Sequence, residues 1–212
     1  MSREIKRSVE EFWSPRTKLG KLVFEGKIVS LDEIFTQGYR IQEAEIVDKL
    51  LPNLQQEVLD MGIVQKQTDA GEQARFKVVV VIGNGDGFVG VGSGKAKQIR
   101  AGIEKATMYA KLNLTPVVRG CGSWECGCGK AHSLPFKVTG KCGSVKVEFI
   151  PGPRGLGIVA NHIATTVLRL AGIKDCWSIS FGSTCTASSI AFAAYDALRN
   201  TCKVITPKSW SR

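Results

Sequence analysis

The stretch Ile82 to Lys111, IGNGDGFVGVGSGKAKQIRAGIEKATMYAK, constrains this chain more than any other. Six glycines, at positions 83, 85, 87, 90, 92 and 94, sit where a missing Cβ permits sharp turns and close backbone approach. Asn84-Gly85 and Asp86-Gly87 are turn dipeptides of the hairpin type. The pattern predicts a glycine-rich turn leading into a short strand, then a second glycine-rich turn opening a helix that begins with Lys95, Lys97 and Arg100. Backbone N–H groups at a helix start, backed by cations, favour an anion such as phosphate. That phosphate belongs either to a nucleotide or to a nucleic-acid backbone.

The nucleotide motifs fail on inspection. Gly85-x-Gly87-x-x-Gly90 fits the dinucleotide pattern in letters only, because that motif must open a helix directly, and Val91-Gly92-Ser93-Gly94 follows instead. Val89 stands where the first glycine of a phosphate-binding loop ending in Gly94-Lys95 would have to be. Catalytic signals are thin. The chain has two histidines, His132 and His162, and contains neither H-E-x-x-H nor G-x-S-x-G. Asp69, Glu72, Asp86 and Glu104 read as turn or surface residues rather than an acid/base pair. A nucleotide-using enzyme is the main rival reading, and a protein-only scaffold with a merely solvated basic surface is the bland one.

Charge favours a polyanion. The net charge is +10, unevenly placed. Leu31 to Asp60 carries seven acidic and two basic residues, whereas Phe88 to Arg154 carries eleven basic and three acidic ones. A basic excess that coincides with glycine-rich turns points to nucleic acid. No apolar run is long enough to span a membrane, and the charged start MSREIKRSVEEF has no apolar core of a secretory signal, so the expected compartment is the cytosol.

Periodicity gives the order of elements. Ser30 with Glu33 forms a capping-box pattern, Ile41 to Leu50 reads as an amphipathic helix, and Leu54 to Met61 begins a further helical pattern that Gly62 stops. Three strands are expected at Ile63–Thr68, Arg75–Ile82 and Phe88–Gly92, with Phe76, Val78, Val80 and Ile82 on one face. A helix follows from about Ala96 to Leu112, its stripe made by Ile99, Ile103, Ala106 and Ala110. The second unit has strands at Leu134–Thr139 and Ser144–Ile150, the loop Pro151 to Gly157, a helix at Val159–Ala171, a strand at Asp175–Phe181 and a helix from about Ala187 to Thr201. Trp177, alternating with Ile179 and Phe181, reads as core; Trp13 and Trp210 anchor the terminal segments on a partner or on their own domain. The fold class is α+β, with helices on one face of an antiparallel sheet in the first unit.

Seven cysteines cannot all pair within one chain, and in a reducing compartment they are thiols. Cys142, Cys176, Cys185 and Cys202 read as small core residues. Cys121, Cys126, Cys128 and His132 place four zinc-type donors within twelve residues. Their spacing, C-x4-C-x-C-x3-H, is not a usual one, and Cys126-x-Cys128 makes a cramped chelate. The reading assigns no metal and no cofactor, with zinc on these four residues as the alternative to a glycine-rich loop of free thiols.

Several segments carry a family resemblance. Val64 to Thr68, Ala70-Gly71, Arg75-Phe76-Lys77, Gly87 to Gly92 and Ala110-Lys111-Leu112 resemble the double-stranded-RNA-binding-like domain of the universal small-subunit ribosomal protein five family, called S-five in bacteria and S-two in eukaryotes. Pro135 to Val145, Pro151 to Val159 and Ala171 to Cys176 resemble its second, small α/β domain. Thr17 to Val23 and Gln67-Thr68 resemble the eukaryotic-type branch, whereas Gly94-Lys95-Ala96 is closer to the bacterial pattern. The resemblance implies an N-terminal extension with helices (1–53), a double-stranded-RNA-binding-like domain (54–118), a C-terminal α/β domain (119–206) and a tail (207–212).

It also implies a function: a structural constituent of the small subunit that binds rRNA near the decoding region and the messenger entry channel, supporting assembly and translational accuracy without catalysis. The implied partners are small-subunit rRNA, messenger RNA near the entry channel and neighbouring proteins of the universal third and fourth families, with no membrane and no small-molecule substrate. The implied location is the cytoplasmic ribosome, with a nuclear or nucleolar stage during assembly in a eukaryote. The residues expected on RNA are Lys66, Arg75, Lys77, Gly83, Gly85, Gly87, Lys95, Lys97, Arg100, Arg119, Lys137, Lys141 and Arg154. A-form RNA hides its base edges in a deep groove, so these contacts should read backbone, 2′-OH and shape.

Overall fold

The computed structural model describes residues 13–203. Three short helices come first: α1 (Lys18–Phe24), α2 (Leu31–Thr36) and α3 (Ala44–Leu50). The Thr17 hydroxyl caps α1 by accepting the Gly20 N–H at 3.0 Å. The Glu43 carboxylate accepts the N–H groups of Arg16 and Thr17 and the Trp13 indole N–H, at 2.9, 2.7 and 3.1 Å. Trp13 is therefore held by its own domain; Trp210 lies outside the described residues. The capping box does not form: Ser30 stands at the N-cap of α2 without a side-chain bond, and the Glu33 carboxylate accepts the Val29 N–H rather than that of Ser30.

The helices bury Leu19, Val23, Leu31, Ile34, Ile46 and Val47 against Val78, Val80 and Ile82 of the following sheet. That sheet runs in the order β1 (Gln55–Thr68), β2 (Gly71–Gly83), β3 (Phe88–Ala96), β4 (Thr115–Pro116). The helical pattern expected over Leu54–Met61 is thus overturned. β2 is buried on both faces from Val78 to Gly83, and such a strand cannot leave an edge of backbone N–H and C=O groups unpaired. β3 covers one edge, and residues 55–68 cover the other, from Gln55 opposite Gly83 to Thr68 opposite Gly71. A bulge between Val58 and Asp60 frees Leu59 to pack toward the second unit.

The second glycine-rich turn expected at Gly92–Gly94 is also absent. β3 stays paired with β2 up to Ala96 opposite Phe76, so the helix, α4 (Ile99–Leu112), starts three residues later than expected. Gly90, Gly92 and Gly94 all face α4. A Cβ at Gly92 would lie 2.3 Å from both the Ala106 carbonyl oxygen and the Ala110 nitrogen. These glycines let strand and helix touch backbone to backbone. Of the predicted α4 stripe, Ala106 and Ala110 are fully buried and Ile103 partly, whereas Ile99 is exposed and Gly102 is buried.

The second unit is a sheet in the order β5 (Val138–Cys142), β6 (Val145–Pro151), β8 (Cys176–Phe181), β7 (Ile158–Val159), with β7 parallel to β8. Helices α5 (His162–Leu170) and α6 (Ala187–Asn200) cover one face. Gly140 meets Ala193 and Ala197 of α6 as Gly92 meets α4: its Cβ would lie 2.2 Å from the Ala193 oxygen. Leu134–Phe136 is not strand; only Ser133 bridges, to Gly120.

The reading of Trp177, Ile179 and Phe181 as core is reversed. They are 42%, 42% and 49% exposed, while Cys176, Ser178 and Ser180 face inward. The small residues leave room for the helices, so the bulky alternate set faces out. Cys176 is buried as expected, but Cys142 and Cys202 are only partly so, and Cys185 is exposed. The two units share one core. Val79, Val81, Val89 and Val91 leave the far face of the first sheet to pack with Leu168, Ile173 and Ile190. Tyr195 seals the joint by donating its hydroxyl to the Asn113 carbonyl at 2.6 Å.

Candidate nucleic-acid interface

The cations expected on RNA divide into three groups. In the first, strand register does the positioning. Val64 lies opposite Arg75, Lys66 opposite Gln73, and Lys77 opposite Lys95. By two-residue alternation Lys66, Arg75, Lys77 and Lys95 share one face of the β1–β2–β3 sheet. Lys66, Arg75 and Lys95 are exposed. Lys77 is half-buried, with its ammonium 3.2 Å from the Ser188 hydroxyl of α6. Lys97 lies in the short connection between β3 and α4. Arg100, in the first turn of α4, is 91% exposed at its side chain and reaches Glu104 at 3.2 Å. The first turn of α4 carries no acidic residue and its N-cap, Gln98, makes no side-chain cap bond, so its outward N–H groups add positive potential beside Lys97.

The second group belongs to the joint between the units. Gly83 is buried, and a Cβ there would lie 2.3 Å from the Leu170 oxygen. Gly87 is buried and donates its N–H to Ala171 at 3.2 Å; the Gly85 N–H goes to Leu170 at 2.9 Å. Arg119 is 12% exposed at its side chain and pairs with Asp86. The turn expected to cradle phosphate instead receives the end of α5, whose last carbonyls would otherwise lack donors. Gly83, Gly87 and Arg119 are removed from the candidate surface for that reason. Gly85 alone of these is exposed, at φ 70°.

The third group lies on the second unit. Lys137 and Lys146 share the Glu148 carboxylate at 2.6 and 2.7 Å and hold it below the usual carboxylate range, Lys137 first and Lys146 next. Lys141 is exposed on β5. Arg154 is exposed in the Pro151–Gly157 loop, where it joins Lys130 and Lys174 around a recess floored by His132, Gly155 and Asp175. Sequence reasoning missed Lys130 and Lys174. They are far apart in the chain, and no motif links them. The main-chain bonds from Lys174 and Asp175 to the His132 carbonyl, at 2.9 and 3.2 Å, bring them together.

Beneath that recess stand the cysteines. Gly120 and Ser133 exchange backbone bonds of 2.8 and 2.9 Å and close the loop between them. Inside it, the donor atoms of Cys121, Cys126, Cys128 and His132 all lie within 4.8 Å of one another. Backbone N–H groups of Arg154 and Cys128 point at the Cys126 sulfur and lower its pKa to about 6, whereas burial pushes the Cys121 thiol up. Asp175 is also held below its usual range: burial raises it, and the Gly157 N–H and His132 outweigh that burial. No constellation of nucleophile, base and oxyanion donors occurs among these groups.

Residues 54–118 match the family model "Ribosomal protein S5, N-terminal domain", and residues 140–207 match "Ribosomal protein S5, C-terminal domain". A "Small ribosomal subunit protein uS5" of Thermofilum pendens is 59% identical over 198 residues, covering 93% of this chain and 98% of that protein. The chain belongs to the ribosomal protein S5 family. The protein of the same name from Sulfurisphaera tokodaii is 56% identical over 212 residues, 100% of this chain and 99% of that one. That of Pyrobaculum islandicum is 61% identical over 189 residues, covering 89% and 94%. As a member of this family the chain is a structural ribosomal protein and not an enzyme. Its two matched segments are the two α+β units described above. Among the described residues no helix is long and apolar enough to cross a membrane.

Proposed function

We propose that this chain is a structural constituent of the small ribosomal subunit that grips rRNA on two basic surfaces. Its functional units are the N-terminal extension (1–53), the RNA-binding sheet and helix (54–118), the C-terminal α/β unit (119–206) and a tail (207–212). The observation that carries the reading is the register that aligns Lys66, Arg75, Lys77 and Lys95 on one sheet face, with Lys97 and Arg100 beside the start of α4. Arg154, Lys130 and Lys174 supply the second surface, whereas Lys137, paired with Glu148, and Lys141 lie on the outer sheet face that carries Ile179 and Phe181.

The chemistry is neutralisation without bond-making. Each phosphate engaged releases condensed counterions, so affinity falls linearly with log salt. The extended hairpin and the turnless run of β3 present cations at fixed spacing, which suits recognition of folded RNA by backbone and shape. Contact with messenger RNA at the entry channel, an effect on decoding accuracy, and neighbours of the universal third and fourth families belong to this proposal through family membership. The exposed row Trp177, Ile179 and Phe181 is the surface we assign to a neighbouring ribosomal protein, because three large apolar side chains aligned on one strand are poorly placed against RNA phosphates. The site of action is the cytoplasmic ribosome. The nucleolar stage applied only to a eukaryotic host, and the relatives named above are archaeal.

The test is binding of the full chain to a small-subunit rRNA fragment at several salt concentrations. The triple variant Lys66→Glu/Arg75→Glu/Lys95→Glu should bind at least tenfold more weakly, with a salt slope shallower by about 2–3 units. Unchanged affinity and slope in this variant would remove the sheet face from the interface.

A further inference from the structure

Two pairs of donor atoms in the loop closed by Gly120 and Ser133 already have the separation that a tetrahedral ion imposes. With Zn–S near 2.3 Å and Zn–N near 2.0–2.1 Å, the edges of the tetrahedron are about 3.8 Å between sulfurs and about 3.6 Å between sulfur and nitrogen. The Cys121 and Cys128 sulfurs are 3.6 Å apart, and the Cys126 sulfur is 3.8 Å from His132 Nε2. These are opposite edges of one tetrahedron, and all four donor atoms lie within 4.8 Å of one another. We propose that Cys121, Cys126, Cys128 and His132 form a structural zinc site.

A second observation points the same way. His132 turns Nε2 toward the sulfurs, while its Nδ1 bonds the Asp175 carboxylate at 2.8 Å. Both side chains are buried. A carboxylate on the far nitrogen is the arrangement that orients metal-binding histidines and raises their basicity. Asp175 is itself fixed by the N–H groups of Gly155 and Gly157 at 3.1 and 2.9 Å.

The cramped Cys126-x-Cys128 spacing is not an obstacle. With a turn closed by the Cys126 N–H on the Ser123 carbonyl before the pair and the left-handed Gly129, at φ 65°, after it, both sulfurs lie within 4.8 Å of each other and of the other two donors. All four ligands come from the chain and none of the tetrahedral positions is left for water, so the site is structural rather than catalytic.

Three thiols and a neutral imidazole bind Zn²⁺ with release of up to three protons to solvent, leaving a site of net charge −1. Lys130, Arg154 and Lys174 line the recess beside His132 and offset that charge. The ion would clamp the linker between the two units to the Pro151–Gly157 loop and so set the position of Arg154.

The test uses the full chain purified under reducing conditions. Elemental analysis should give one zinc per chain, and cobalt substitution should give intense d–d bands with thiolate-to-cobalt charge transfer, the signature of a tetrahedral thiolate site. Cys126→Ser and Cys128→Ser should lose the metal, while Cys185→Ser should keep it. Asp175→Asn should keep the cobalt spectrum and weaken zinc about 10- to 100-fold in competition with a chelator. A folded, reduced wild-type chain that takes up no zinc, or gives the weak spectrum of octahedral cobalt, would overturn the proposal. So would isolation of the native chain with a Cys121–Cys128 disulfide. These readings are made on the wild-type chain and stand even if a serine variant fails to fold.

Discussion

Replacing Gly92 with alanine separates a packing role for the glycine-rich strand from a phosphate-cradling one. The new Cβ would sit 2.3 Å from the Ala106 oxygen and from the Ala110 nitrogen, and 2.9 Å from the Ala110 Cα. Ordinary van der Waals contact needs about 3.4 Å or more, so α4 must retreat by about 1 Å. The obstructing atoms are helix backbone, which cannot rotate away as a side-chain tip can. A retreat of that size loosens Ala106, Ala110 and Leu114 against Val78 and Val80, all buried now. The cost belongs at the upper end of overpacking, about 3 kcal/mol. For a chain of this size the melting temperature should fall by about 6–12 °C. Gly62→Ala is the control: it lies in the exposed β1 with nothing within 4 Å of its Cβ, and it should be neutral or slightly stabilising. Thermal melting followed by circular dichroism reads both. A Gly92→Ala chain that melts within a degree or two of wild type, yet loses RNA affinity, would refute the packing argument and restore the phosphate cradle.

Other consequences follow from the same contacts. Asp86→Ala strips the partner from a mostly buried Arg119 whose Nε has no hydrogen-bond partner, and should destabilise the joint by about 1 kcal/mol in urea unfolding. The discount reflects the exposure of Asp86. Burial raises the Glu43 pKa, but the N–H groups of Thr17 and Arg16 outweigh it and hold the carboxyl below its ordinary value. Its contribution is therefore present above the unfolded-state pKa and lost as pH falls through the lower folded value. The Trp13 fluorescence difference between wild type and Trp13→Phe should change in that acid range, and Glu43→Gln should abolish the transition. Gly140→Ala should destabilise the second unit much as Gly92→Ala does the first, because its Cβ would meet Ala193 and Ala197 at 2.2 Å. Hydrogen exchange should locate that loss in β5 and α6.

Much of the fold was legible because side-chain periodicity reports burial. Phe76, Val78, Val80 and Ile82 do line one face, and Ala187–Asn200 and Ile99–Leu112 are helices close to where the pattern puts them. The failures share a cause. Leu54–Met61 looked helical because its apolar spacing was compared with ideal templates, whereas the open edge of a doubly buried strand chose its conformation. Trp177, Ile179 and Phe181 alternate as a core-facing set would, but alternation does not reveal which alternate set points inward. Among the candidate cations, the family resemblance pointed to Lys66 and Arg75 and the glycine-rich stretch to Lys95, while no motif points to Lys174 or ties it to Lys130 and Arg154, which only the folded chain brings together.

The sequence by itself determined that this is a basic, two-unit α+β chain of the S5 type, since composition, glycine placement and family motifs are local properties. Only the tertiary structure decided which glycines turn and which admit a helix, which cations are free and which are tied up in the joint, and that three sulfurs and one imidazole converge. Those outcomes depend on what lies across a strand or a domain boundary, and distances through space are not written along the chain.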